Sequence, residues 1–200
     1  MITIRSQIDR FSQQAKDHQH PVFKYYQFPT TAFTPKYNKD YSKYSSQIKL
    51  KGGREHYTPS GWSKYALYVE KPFEVFTKNH CVVYYTSSIR ALKEIVTNGT
   101  IVPDETITLS STEEESYLYV TPFIDSLLFS TSPCLVPQDQ TFNLGPSTPY
   151  RVILSFHLPS SSLLPLPNQY PHNYPLPPTV YRVPLHSLTP TSILIKQLPQ

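Results

Sequence analysis

The sequence predicts an α+β domain of mostly antiparallel strands with a few short helices. Three observations carry this. Short runs of Val, Ile, Leu and Tyr recur along the chain, each bounded by turn residues. One stretch alone combines helical spacing with a start and a stop signal. And 21 prolines point to long irregular segments, while a 38% hydrophobic content in 200 residues suffices for one core.

The first region, residues 1–48, reads as a short helix followed by an extended aromatic and basic arm. Ile4, Ile8 and Phe11 could line one helix face before the His18-Gln19-His20-Pro21 break. From Phe23 to Ser46 no period is sustained, and Tyr, Phe, Lys, Thr and Pro predominate. Such a segment either packs by its rings or stays partly mobile. Residues 49–200 read as the main domain. Gly52-Gly53 and Ser60-Gly61 are turn signals, and Trp62, Tyr65, Leu67 and Val69 begin a strand. Pro72 to His80 reads as a polar connection.

The stretch from Cys81 to Gly99 organises the rest of the domain. Cys81-Val82-Val83-Tyr84 has the composition of a buried strand. Thr86-Ser87-Ser88 supplies hydroxyls that cap helices. Ile89, Leu92, Ile95 and Val96 then recur at helical spacing, and Asn98-Gly99 stops the helix because glycine adopts the left-handed conformation freely. Such a strand, turn and helix leaves Tyr84 and Tyr85 at a strand end, where ligands often sit.

Further on, Asp104 to Ser116 reads as an acidic loop containing Glu113, Glu114 and Glu115. Tyr117 to Thr121 reads as a strand stopped by Pro122, Phe123 to Ser130 as a helical turn, Ser132 to Pro149 as loop, and Tyr150 to Phe156 as an alternating strand. The run 158–178 is a proline-rich insertion that favours polyproline II. Val180 to Val183 and Ser192 to Ile195 close the domain as strands.

The formal charge of +4 and the absence of a long Lys/Arg run argue against a nucleic-acid partner, although basic residues gather in the first 64 positions. Two cysteines without C-x-x-C spacing, and a lone His18/His20 pair, argue against a metal site. No segment approaches the ~20 apolar residues of a membrane helix, and the first residues lack a signal peptide's apolar stretch. The expectation is therefore no membrane partner and an intracellular protein, cytoplasmic or nuclear. A Cys134/His157 pair has no accompanying oxyanion glycine, and neither a G-x-S-x-G nor a phosphate-binding glycine loop occurs.

Taken together, GGREHYTPSGW, VVYYTSS, YLYVTPFID, YRVILSFHLPS and VYRVPLHSLTPTSILI resemble, in order from Leu50 to Lys196, the segments of ADP-ribosyltransferase-like domains, the catalytic fold of poly(ADP-ribose) polymerases. The first stretch resembles a G-G-x-x-Y-x-P-x-G-W pattern and the second a Y-H-G-T strand-turn. The resemblance implies a split β-sandwich with an NAD cleft between two sheets. It also implies a His that holds a ribose, a Tyr that stacks on nicotinamide, and a Glu that stabilises the cation left by the departing nicotinamide.

Carried over, the His position falls on Tyr85, the following Gly on Thr86, the stacking Tyr on Tyr119 and the Glu on Val180. Tyr84, Tyr85, Thr86 and Tyr119 are thus the implied NAD-binding residues, with Tyr85 and Tyr119 in the catalytic places. Only Tyr119 keeps the family's side chain. The resemblance therefore implies a domain with lost chemistry that binds a protein partner or an NAD/ADP-ribose-type ligand, its pocket narrowed by Tyr85 and Thr86, with the Tyr85 and Tyr119 rings packed together. Two alternatives stand beside it. One is an active mono-ADP-ribosyltransferase that uses NAD, with Glu113 or Glu115 replacing the missing acid. The other is an adaptor that works through its proline-rich and tyrosine-rich surfaces.

Overall fold

The structure, a computed structural model, describes residues 20–44, 48–51, 54–57, 59–77, 79–99, 117–127, 132–138, 147–165, 180–185 and 188–199. Its strands in chain order are β1 (Lys39–Asp40), β2 (Ile48–Lys51), β3 (Arg54–Tyr57), β4 (Ser63–Ala66), β5 (His80–Tyr85), β6 (Tyr117–Val120), β7 (Cys134–Pro137), β8 (Ser147–Pro159), β9 (Leu164–Pro165), β10 (Tyr181–Pro184) and β11 (Pro190–Gln197). Among the described residues three short α-helices join them: α1 (Pro21–Tyr25), α2 (Pro72–Val75) and α3 (Ile89–Asn98). Among the described residues every strand pairing is antiparallel. The mixed, mostly antiparallel α+β class expected from the sequence is what forms.

A six-stranded sheet runs β1-β4-β11-β8-β5, with β7 on the free length of β8. A three-stranded sheet, β6-β10-β9, and the β2-β3 hairpin complete the strands. Side chains alternate across a strand, so the large sheet has two faces of opposite residue parity. Cys81, Val83 and Tyr85 of β5, Val152, Leu154, Phe156 and Leu158 of β8, and Ile193 and Ile195 of β11 point to one face and form the main core. Val82, Tyr84, Ile153 and Leu194 point to the other, where Trp62 and Ile124 complete a second cluster.

The strand–helix unit forms where its sequence placed it. Ser88 caps α3, its hydroxyl accepting from the Ala91 N–H at 3.2 Å, and Gly99 ends the helix at φ 68°. Leu92 and Ile95 are fully buried on the main core. Burial of one such side chain contributes about 2 kcal/mol.

Residues 20–44, grouped by sequence with an arm, pack by their rings into that same core. Val22, Phe23 and Phe28 are buried, and Phe23 meets Phe33, Tyr65 and Phe28 at centroid distances of 4.5, 4.9 and 5.3 Å. Lys39 and Asp40 then pair with Lys64 and Ser63, so this stretch supplies the sheet's edge. The helix expected over Ile4 to Phe11 lies outside the described residues.

Two loop expectations are corrected. Cys134–Pro137 is a strand, paired with Ser147–Tyr150. Four residues ending in proline carry too little alternation to read as one, and only the long partner β8 makes it so. Residues 158–165, assigned to the proline-rich insertion, contain the end of β8, a 3-10 turn over Ser160–Ser162 and β9. Pro159 sits at the last position of its strand, where no further donor is needed. Among the described residues no helix is long and apolar enough to cross a membrane.

Candidate functional site

Three of the segments carrying the resemblance come together near the C-terminal end of β5. Tyr84 donates its backbone N–H to the Thr121 carbonyl at 2.8 Å, and the Thr121 N–H donates to the Tyr84 carbonyl at 3.1 Å. This two-way bridge ties β5 to the end of β6. β6 in turn pairs with β10, Val120 opposite Tyr181, which places Val180 beyond that pair and level with Thr121. Thr121 is fully buried, and its hydroxyl accepts from the Phe123 N–H at 3.1 Å, turning the chain toward the 3-10 turn Ile124–Leu127. Positions 85, 119 and 180 thus stand on three neighbouring chain segments.

Their side chains do not share one space. Tyr85 is buried in the main core, in the cluster that also takes Leu118 and Val120 of β6. Tyr119 alternates with those two residues and so projects from the opposite face of β6, opposite Arg182 and away from that core. The expected packing of the Tyr85 and Tyr119 rings is therefore corrected: strand parity separates them. Tyr84 points the other way from Tyr85, into the second cluster with Trp62, Val82 and Ile153. Burial pushes its hydroxyl pKa far up, with smaller contributions from Tyr41 and Asp125, so it stays protonated.

Thr86 is half-buried, and its hydroxyl donates to the Val152 carbonyl at 3.5 Å, a long and weak contact. Val180 is buried at 9% exposure and brings no charge. Burial raises the Tyr119 pKa and the Arg182 charge partly opposes this. The Arg182 guanidinium itself lies 4.9 Å from the Tyr117 ring centroid. Glu113, Glu114 and Glu115 lie outside the described residues. Among the described residues no group of three His, Cys, Asp or Glu side chains could hold a metal ion.

Sequence reasoning missed a buried polar cluster between β8 and β11. The His157 Nδ1 is 2.9 Å from the Thr191 Oγ1, and the Thr191 hydroxyl donates to the Ser155 carbonyl at 3.1 Å. With its proton so placed, Thr191 accepts from Nδ1–H. The Ser155 and Ser192 hydroxyls are 2.5 Å apart. Thr191 is the extra residue of a bulge, where the register shifts between Pro190 and Ser192. The available signal was Ser155 and His157 at alternating positions of an otherwise apolar strand. Cys134 pairs with Tyr150, seven residues along β8 from His157 and thus about 23 Å away, so the two form no catalytic pair. Burial pushes the Cys134 thiol up to about 11.

No protein-family model, no curated protein and no solved structure matches this chain.

Proposed function

We propose that the chain is an ADP-ribosyltransferase-like domain without catalysis, a split β-sandwich that acts by binding a protein partner or an ADP-ribose-type ligand. One observation carries this reading. The three segments that resemble the family's active-site strands converge through the Tyr84–Thr121 bridge and the β6–β10 ladder, yet the places of the family's imidazole and acid hold Tyr85 and Val180.

The chemical reason is electrostatic. Loss of nicotinamide leaves a cationic ribose carbon, and a preorganised carboxylate beside it lowers that barrier. Val180 has none to offer. Tyr85 is part of the hydrophobic core, so a ligand that needs the family's ribose contact has to displace a buried ring. Tyr119 and Arg182, on the outward face of the small sheet, are the side chains left to meet a ligand or partner.

The test is nicotinamide release and label transfer from NAD, together with calorimetry against NAD and ADP-ribose. The expected result is no release, no label on protein, and no heat with NAD. Label transfer that Glu113→Gln or Glu115→Gln abolishes would establish the active alternative instead. The double variant Tyr85→His with Thr86→Gly is expected to gain no NAD binding, because position 85 faces the hydrophobic core and position 119 the opposite side of β6. A natural protein that binds NAD at micromolar strength would sink the pocket-filling argument.

A further inference from the structure

Among the described residues, the two most exposed large apolar side chains lie on one strap, residues 68–76, which leads from β4 to β5. Phe73 is 94% exposed and Tyr68 65%, and Phe76 on the same strap is 47% exposed. Phe73 and Phe76 are three residues apart across α2 and its C-cap, so their rings stand on one side of that turn. Single exposed apolar side chains are ordinary on a surface, but a group of aromatic rings marks a place of contact.

The strap presents these rings on a fixed backbone. The Tyr68 N–H donates to the Ala32 carbonyl at 2.7 Å, and the His80 Nδ1 is 2.7 Å from the Val75 carbonyl oxygen. The Phe76 ring stands 4.8 Å from that of His157. The strap's charges are Glu70, Lys71 and Glu74, negative in sum. Lys71 and Glu74 pair at 3.4 Å, and among the described residues Glu70 forms no ion pair.

The residues before His20 carry the matching pattern. Ile4, Ile8 and Phe11 fall within about 60° of arc at helical spacing. Arg5, Asp9 and Arg10 leave the same stretch positive in sum. The tertiary structure brings this stretch within reach of the strap. The His20 ring centroid is 5.4 Å from that of Tyr65. Tyr68 follows Tyr65 by three residues, at most about 10 Å, and Phe73 follows it by eight, at most about 28 Å. The chain from Phe11 to His20 spans up to about 30 Å, and that from Ile4 about 50 Å.

We propose that residues 4–11 dock on this strap within one chain, with Ile4, Ile8 and Phe11 against Tyr68, Phe73 and Phe76 and an arginine on Glu70. Three rings are far less than the surface a stable complex of separate chains buries. A segment tethered at His20 needs no such area, because a short linker holds it at an effective concentration on the order of millimolar. The negative sum of the strap's charges also disfavours an anionic lipid surface. The proposal is independent of the transferase-like reading, and neither fails with the other.

The test uses the full chain. Amide hydrogen exchange is read by mass spectrometry over residues 1–19 and 68–76 in the natural protein, in Phe73→Asp and in Ile8→Asp. In the natural protein residues 4–11 are expected to exchange about tenfold or more slowly than unprotected amides, the factor that burying one such ring supplies. Phe73→Asp alters a side chain that already stands in water, so the exchange of β8 and β11 should stay unchanged while residues 4–11 lose their protection. Ile8→Asp should in turn speed exchange in residues 68–76. This reciprocal loss supports the docking. Unprotected residues 4–11 in the natural protein overturn it. So does protection that survives Phe73→Asp, which would belong to a helix formed without the strap. Protection that grows with protein concentration, alongside a dimer in sedimentation, assigns the strap to a second copy and overturns docking within one chain. Co-sedimentation with phosphatidylcholine–phosphatidylserine vesicles that Phe73→Asp abolishes overturns it in favour of lipid.

Discussion

Acidification should undo the docking of the first described segment, through His20. This residue caps α1, its Nδ1 accepting from the Val22 N–H at 3.2 Å. Its ring stands among Tyr150, Tyr65 and Phe23, with centroids at 5.1, 5.4 and 6.0 Å. Burial lowers its pKa from 6.5 to about 4. The unfolded chain therefore takes up this proton near pH 6.5, and the folded protein only near pH 4. Between those values the unfolded state binds more protons, so stability falls as pH falls. The contribution is fully present above about pH 6.5 and is lost by about pH 4.

Each pH unit in that window is worth at most about 1.4 kcal/mol, giving about 3 kcal/mol as a ceiling and about 2 kcal/mol once the exposed part of the ring is allowed for. Protonation also takes Nδ1 away from the Val22 N–H and puts a positive charge at a helix start, both unfavourable. The assay is urea denaturation at steps from pH 7.5 to 4, for the natural protein and for His20→Asn, which keeps a capping acceptor without titrating. Carboxylates titrate in both proteins and cancel in the difference. The natural protein is expected to lose about 2 kcal/mol more than the variant across the window. Parallel curves would refute the argument, since they would mean that the His20 site admits its proton as readily as water does.

Two more outcomes rest on local geometry. Ser88→Ala removes the acceptor for the Ala91 N–H and should cost about 1 kcal/mol in the denaturation free energy, with Ser88→Asn restoring most of it. Thr191→Val removes the hydroxyl that His157 and Ser155 share and should cost about 1–3 kcal/mol, while Thr191→Ser retains the bonds and should cost less.

The sequence by itself determined the features that depend on neighbours a few residues away. Ser88, the spacing of Leu92 and Ile95, and Gly99 define α3 because capping, helical period and the left-handed stop are all local. The alternation of Val152, Leu154 and Phe156 defines β8 for the same reason. Tertiary structure decided everything that depends on which face a strand turns inward. It put Tyr85 into the core and Tyr119 on the outer side of β6, although both belong to segments of one resemblance. It made a strand of Cys134–Pro137 by giving it β8 as a partner. It drew Phe23 and Phe28 out of an apparently formless arm into the core, because aromatic burial needs no period. And it set Lys39 against Lys64 and Lys196 against Arg151. Register is fixed by the burial of the opposite face, so the charges on this one meet at a distance in sequence that no local pattern records.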